Sequence, residues 1–226
     1  MSNFLHLWGI YLGTLIGLLP IINPLSAGPT FLAITEGDSD ERRLSQARKG
    51  CFYMVAILVC FLIGGSFIMR FFGISIPGLR ITGGILLAGI GMNMLRAGHA
   101  DTPDDAEQRE AARRKVDISF SPLAMPMLSG PGSIAVTLGF TSLAVDWLDY
   151  AAIIAGIITV ALITYVVLRL SSRLVQIIGP VGVNAMTKIM GFLLMSMGVQ
   201  FVVNGVLGIA TDPELLRGIK TVLGGG

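Results

Sequence analysis

The sequence predicts an all-α integral membrane protein with six transmembrane helices, arranged as two inverted three-helix repeats in which helices 1 and 4 are broken. Three observations carry this: the composition, the sorting of charge along the chain, and a proline-rich motif that occurs twice. Of 226 residues, 53% are apolar and 13% are charged, about half the ~25% charge of a soluble domain. Mean hydropathy is +0.77. Such a composition excludes a soluble enzyme, a disulfide-stapled secreted module and a disordered chain. A net charge of +2 provides no basic footprint for nucleic acid.

Each span follows from the charge pattern. Eight charges fall between Glu36 and Lys49, and eleven between Arg96 and Asp117. The uncharged stretches are Phe4–Thr35, Gly50–Met69, Ile81–Leu95, Ile118–Val145, Tyr150–Leu168 and Ile189–Thr211. Unpaired backbone groups are not tolerated in hydrocarbon, so apolar runs of this length are helices. The first run lacks a basic n-region and a small-residue cleavage site and is read as a span rather than a removable signal. Arg42, Arg43, Arg48, Lys49, Arg96, Arg109, Arg113, Arg114, Lys115, Arg169, Arg173 and Lys188 fall on one side of the membrane. Only Arg70, Arg80, Arg217 and Lys220 fall on the other. The positive-inside bias makes the first face cytoplasmic and puts both termini in the periplasm. Trp8, Tyr11, Trp147 and Tyr150 then form an outer aromatic belt.

The repeat has a separation of 102 residues. Pro20, Pro24, Gly28, Pro29, Ala33 and Thr35 recur as Pro122, Pro126, Gly130, Pro131, Ala135 and Thr137. A weaker match near 108 pairs Arg80, Ile81 and Gly83 with Lys188, Ile189 and Gly191. The chain divides into a first three-helix repeat (1–98), a charged cytoplasmic linker (99–114), a second repeat (115–212) and a tail (213–226). A unit with an odd number of spans ends on the side opposite its start, so the second copy enters upside down. Inverted repeats with paired broken helices are the build of many secondary transporters. A duplicated bundle without a transport path is the competing reading.

Proline has no N–H to give and clashes with the preceding turn. Pro20, Pro24 and Pro29 therefore break helix 1, and Pro122, Pro126 and Pro131 break helix 4. New half-helices are expected near Pro29-Thr30 and Pro131-Gly132, where free N–H groups could hold an anion; kinks that serve only packing are the alternative. Residues Phe4–Leu15 have no counterpart in the second copy and either extend or tilt helix 1. Gly9, Gly13 and Gly17 give it a strip for close helix contact.

These residues also carry a resemblance. Asn23-Pro24 with Gly28-Pro29, the Ile74–Ile81 stretch, Pro122–Pro126, Gly130–Gly132, Met190–Leu194 and Gly198–Gln200 resemble the MarC family of bacterial inner-membrane proteins. The resemblance spans nearly the whole chain, apart from the 98–117 linker and the glycine tail. Through that family the chain is similar to the neutral amino acid transporters, which implies a multi-pass protein of the bacterial inner membrane that carries small zwitterions.

The polar residues of the spans are the candidates for a site. No enzyme is expected: the only histidines are His6 and His99, no carboxylate lies deep in a span, and no metal or cofactor set can be assembled. At the breaks, Asn23, Ser26, Gly28, Thr30, Ser129, Gly130, Gly132 and Ser133 are the expected substrate-binding residues. Asn23 and Ser26 would meet an amino group, and the N–H groups near Gly28 and Gly130–Gly132 a carboxylate. Asn23 could instead simply cap the new half-helix. Thr82, Asn93, Ser196, Gln200 and Asn204 are further polar candidates on helices 3 and 6. Arg80 and Lys188, related by the repeat, are read as gating cations, with snorkelling toward headgroups as the plainer account. A coupling ion, proton or sodium, would use Glu36 or Asp117 at the span edges, or unwound carbonyls. Cys51 and Cys60, about 13 Å apart on one helix, are too distant for a disulfide. The small pairs Gly84/Ala88 and Ala152/Gly156 suit contacts within or between chains and leave the oligomer undetermined. The expected function is alternating-access transport of a small neutral amino acid or similar zwitterion across the bilayer. A non-transporting regulatory or scaffolding protein is the alternative.

Overall fold

A computed structural model describes residues 2–96, 117–141 and 144–211, with side chains from residue 4 onward. The expected linker 99–114 and tail 213–226 lie outside the described residues, as do His99, Arg109, Arg113, Arg114, Lys115, Arg217 and Lys220. Eight helices and no strand are found among the described residues: α1 (Ser2–Ile22), α2 (Pro24–Ile34), α3 (Asp40–Phe72), α4 (Ile76–Arg96), α5 (Ser119–Leu128), α6 (Pro131–Phe140), α7 (Trp147–Arg169) and α8 (Ser171–Ala210). Of these, α1, α3, α4, α7 and α8 are long and apolar enough to cross a membrane. The pair α5–α6, bent by 64°, makes up to six spans, and α2 is a shorter apolar helix. Large apolar side chains point outward along these spans, among them Phe52, Phe67, Ile85, Leu162 and Phe192, as expected where the surroundings are lipid.

The helix limits depart from the charge map at two places. Helix α3 begins at Asp40, well before the uncharged run at Gly50. The Ser39 side chain accepts the Arg42 N–H, and Asp40 and Glu41 sit in the first turn, where the helix dipole favours negative charge. Helix α8 begins at Ser171 and kinks at Gly179 (φ 69°), just before Pro180. Lys188, which directly precedes the uncharged run Ile189–Thr211, therefore lies inside α8. Helix α7 is anchored by Asp149, whose buried carboxylate accepts the backbone N–H groups of Val145 (2.9 Å) and Asp146 (3.2 Å).

Packing pairs elements from opposite ends of the chain. Helix α1 runs parallel to α7: His6 lies 3.2 Å from Asp149, and Gly156 would bring a Cβ within 2.8 Å of Thr14. The same register puts Trp8 and Trp147, both exposed, within about one helical turn of each other. Helix α3 runs parallel to α5–α6, with Gly50 against Leu123 and Gly65 against Leu138 and Thr141. Helices α4 and α8 run antiparallel along a glycine seam. A Cβ on Gly84 would sit 2.5 Å from the Gly198 carbonyl oxygen, and one on Gly91 equally close to that of Gly191. Only hydrogen fits between these backbones, as in small-residue helix contacts in membranes. Gly84 and Gly156 are thus used within the chain. Of the α1 strip, Gly17 packs on Phe140, whereas Gly9 and Gly13 meet nothing within 4 Å.

Candidate substrate cavity

The two proline segments fold differently. In the first, α1 continues through Pro20 to Ile22, and the break falls on one residue, Asn23, in the left-handed region (φ 40°, ψ 66°). Asparagine tolerates that region better than most residues. Pro24 then occupies the first turn of α2, where a missing N–H costs nothing. Pro29 lies inside α2 and does not end it. The new half-helix therefore starts at Pro24 rather than at Pro29, because one left-handed residue is enough to redirect the chain.

In the second segment the disruption is spread out. Ser121 and Met125 have extended backbones inside α5, and the bonds Ser121–Pro122 and Met125–Pro126 are cis. Without N–H groups on Pro122 and Pro126, the turns widen to i→i+5 bonds, Leu123 N–H to Ile118 O (3.1 Å) and Ser129 N–H to Ala124 O (2.7 Å). A second break at Ser129-Gly130 precedes α6, which starts at Pro131 as expected.

These breaks bound a cavity of about 310 Å³. Asn23, Ser26, Ala27, Thr30 and Ile34 line it from one face of α2, and Pro122, Pro126 and Met127 from α5. Met94 of α4 and Thr187 of α8 close it. Each half of the chain thus supplies its proline segment and its last long helix. No charged side chain lines the space.

A directed hydrogen-bond chain crosses one wall. Asn23 Nδ2 donates to Ser26 Oγ (2.6 Å), which lies 2.5 Å from Thr187 Oγ1. The Thr187 hydroxyl spends its proton on Val183 O (2.9 Å), so Ser26 is the donor to Thr187. Asn23 makes no side-chain cap bond to α2. Its Oδ1 has no hydrogen-bond partner among the described residues, and neither has the Thr30 hydroxyl, which leaves two polar groups available at the cavity.

The remaining sequence candidates lie elsewhere. Gly28 abuts Ser171 Cβ at the start of α8, and Gly132 fits between Ile90, Ile21 and Leu87. Ser133 Oγ donates to Leu128 O (3.2 Å), and Gly130 lies against the Pro126 carbonyl. Ser129 is buried with its hydroxyl unpartnered, but it does not line the cavity. Arg80 and Lys188 sit at opposite ends of the α4–α8 pair, about 21 Å apart along it by helix rise, and neither lines the cavity. Thr82, Asn93, Ser196, Gln200 and Asn204 face outward. Thr187, Met94 and Met127 were not anticipated, because nothing in their local sequence shows which helix faces will meet.

The sequence matches the model of the MarC family, described as "MarC family integral membrane protein", over residues 8–210. The chain belongs to the MarC family. It is 37% identical to the "UPF0056 inner membrane protein MarC" of Salmonella paratyphi A and 38% identical to that of Escherichia coli O1:K1. Each match runs over 205 residues, 86% of this chain and 93% of the relative. No solved structure matches the chain. The cavity of this MarC-family protein lies wholly inside the matched region.

Proposed function

We propose that this MarC-family protein is a secondary carrier of the bacterial inner membrane that moves a small, net-neutral zwitterion, such as a neutral amino acid, by alternating access. The observation that carries the reading is the cavity lined by both proline segments. Its volume is at the low end of the ~300–1,000 Å³ of ligand sites, which suits a small solute. An uncharged wall of amide, hydroxyl and apolar groups favours a ligand without net charge. Asn23 Oδ1 would accept from its ammonium group, and the α2 N-terminus, opening onto the same space, would attract its carboxylate.

Helix directions support two inverted halves of three spans. Inversion requires α1 to run with α7, α3 with α5–α6, and α4 against α8, and these are the directions that the contacts give. A same-sense repeat would reverse all three. The orientation with both termini in the periplasm draws support from the gathering of Arg43, Arg169 and Arg173 around one space, with Lys49 bridging to Asp117 (3.2 Å) nearby. The names of the relatives support the inner membrane as the location. With no carboxylate in the cavity lining, coupling by sodium on opened carbonyls, or plain facilitation, suits this site better than a buried proton carrier.

Uptake of labelled neutral amino acids into proteoliposomes tests the proposal. A carrier gives saturable flux that unlabelled substrate competes away, and Asn23→Gly lowers it. Flux indistinguishable from empty liposomes across the panel would favour the scaffolding reading.

A further inference from the structure

A second space of about 320 Å³ lies between α2, the first turns of α3 and the α7–α8 turn. Arg43, Arg169 and Arg173 line it, with Asp40 as the one acidic group. The three cations do not have equal freedom. Arg43 Nε and Nη2 donate to Thr35 Oγ1 (3.0 Å) and Thr35 O (3.2 Å), closing the C-terminus of α2, and Nη1 lies 3.6 Å from Asp40. Asp40 is 93% exposed, so its pairing is screened and neutralises little. Arg169 and Arg173 have no hydrogen-bond or ion-pair partner among the described residues. They stand four residues apart across the α7–α8 turn, and both line the one space together with Ser172.

The floor of this space is apolar. Phe31, Ala47 and Leu168 line it and are buried. Arg169 is the last residue of the apolar helix α7, which puts the guanidinium groups at headgroup depth. A cationic rim over an apolar floor at that depth is complementary to an amphiphile with an anionic head. Guanidinium forks match phosphate oxygens two at a time, and basic pockets between spans are known to take lipid phosphates. We propose that this pocket binds the phosphate of an anionic phospholipid, with its glycerol and upper acyl chain lying on the apolar floor. The bound lipid would tie the connection after the first proline segment to the turn before α8.

The test uses the purified full-length protein in detergent with phosphatidylglycerol, phosphatidylcholine or inorganic phosphate added separately. Native mass spectrometry should find one retained phosphatidylglycerol per chain. At about a hundredfold excess over Kd, Tm should rise on the order of 5 °C. The Arg169→Gln/Arg173→Gln variant should lose both effects. Arg48→Gln, which removes an exposed cation of α3 outside the pocket, should keep them. Should the double variant not fold, Arg173→Gln alone carries the comparison. Equal retention by wild type and variant, or equal stabilisation by phosphatidylcholine, would overturn the site. The same Tm rise with inorganic phosphate alone would overturn the lipid as its ligand.

Discussion

Leu19–Pro29 and Ser121–Pro131 carry prolines at the same three offsets, yet the chain treats them differently. The first makes one sharp break at Asn23 between two regular helices. The second spreads its disruption over Ser121, Met125 and Ser129-Gly130 and widens its turns in between. The residue before the middle proline accounts for much of the difference. Asparagine can enter the left-handed region and release the backbone in one step. Methionine, at the equivalent position, adopts the extended conformation that a following proline favours. The consequence is chemical as well as geometric. The first copy presents a helix face with an amide and hydroxyls, and the second presents proline rings and a thioether. Prolines thus decide that a helix is interrupted, and their neighbours decide how.

The largest effect should come from making the copies alike at that position. Asn23→Met forces a bulky residue into left-handed backbone, at about 1–2 kcal/mol, and removes the donor to Ser26. Both Tm and uptake should fall sharply. Asn23→Gly keeps the backbone geometry and deletes only the amide. Stability should then change by no more than about 1 kcal/mol, while uptake falls on the order of tenfold, as for a lost hydrogen bond to a charged group. If the two variants behave identically, the lost amide accounts for the whole effect and the left-handed backbone at Asn23 contributes nothing.

Next in size is a contrast between matched prolines. Pro29 sits inside α2, where proline forfeits a helical hydrogen bond, so Pro29→Ala should raise stability by about 1–3 kcal/mol in denaturant or thermal unfolding. Pro131 opens α6, where proline costs nothing, so Pro131→Ala should stay within about 0.5 kcal/mol. A stabilising effect at both positions would mean that the two copies are equivalent after all.

Thr187→Val is a smaller change. It strips the acceptor from the Ser26 hydroxyl and should cost about 1 kcal/mol, with a several-fold drop in uptake. Because Thr187 belongs to the second half, its loss tests whether the first segment depends on the helix it faces.

The smallest effect concerns Asp117, just before α5. Its carboxyl is held below the usual carboxylate range, chiefly by the Ser119 hydroxyl, then by the Ser119 N–H and by Lys49. A depressed folded pKa contributes stability that is present above the ordinary value of ~3.9 and is lost as pH falls through the folded value. Acid below about pH 4 should therefore lower Tm a little in the wild type and less in Asp117→Asn. Half exposure of the Lys49–Asp117 pair keeps the difference small.

Part of the cavity wall was legible in the sequence. Asn23, Ser26 and Thr30 repeat at helical spacing after a proline break, so their shared face could be read from order alone. Thr187 could not, because it lies 161 positions from Ser26 and only the packing of α8 on α2 brings them together. Gly130 and Gly132 have the composition of an anion-binding turn, but neither lines the cavity, and each packs its Cα closely, against Pro126 and Ile90 respectively. Lys188 borders the uncharged run Ile189–Thr211 yet lies well inside a helix, because Gly179-Pro180 bends α8 without ending it.

By itself the sequence determined that the chain enters lipid as helices and that two of them are interrupted by proline, since hydrocarbon leaves the backbone no other way to pair and proline no N–H to pair with. Which residues face one another was decided only in three dimensions. Helix pairing rests on close backbone approach, such as that between Gly84 and Gly198, and this depends on both surfaces at once rather than on either stretch of chain.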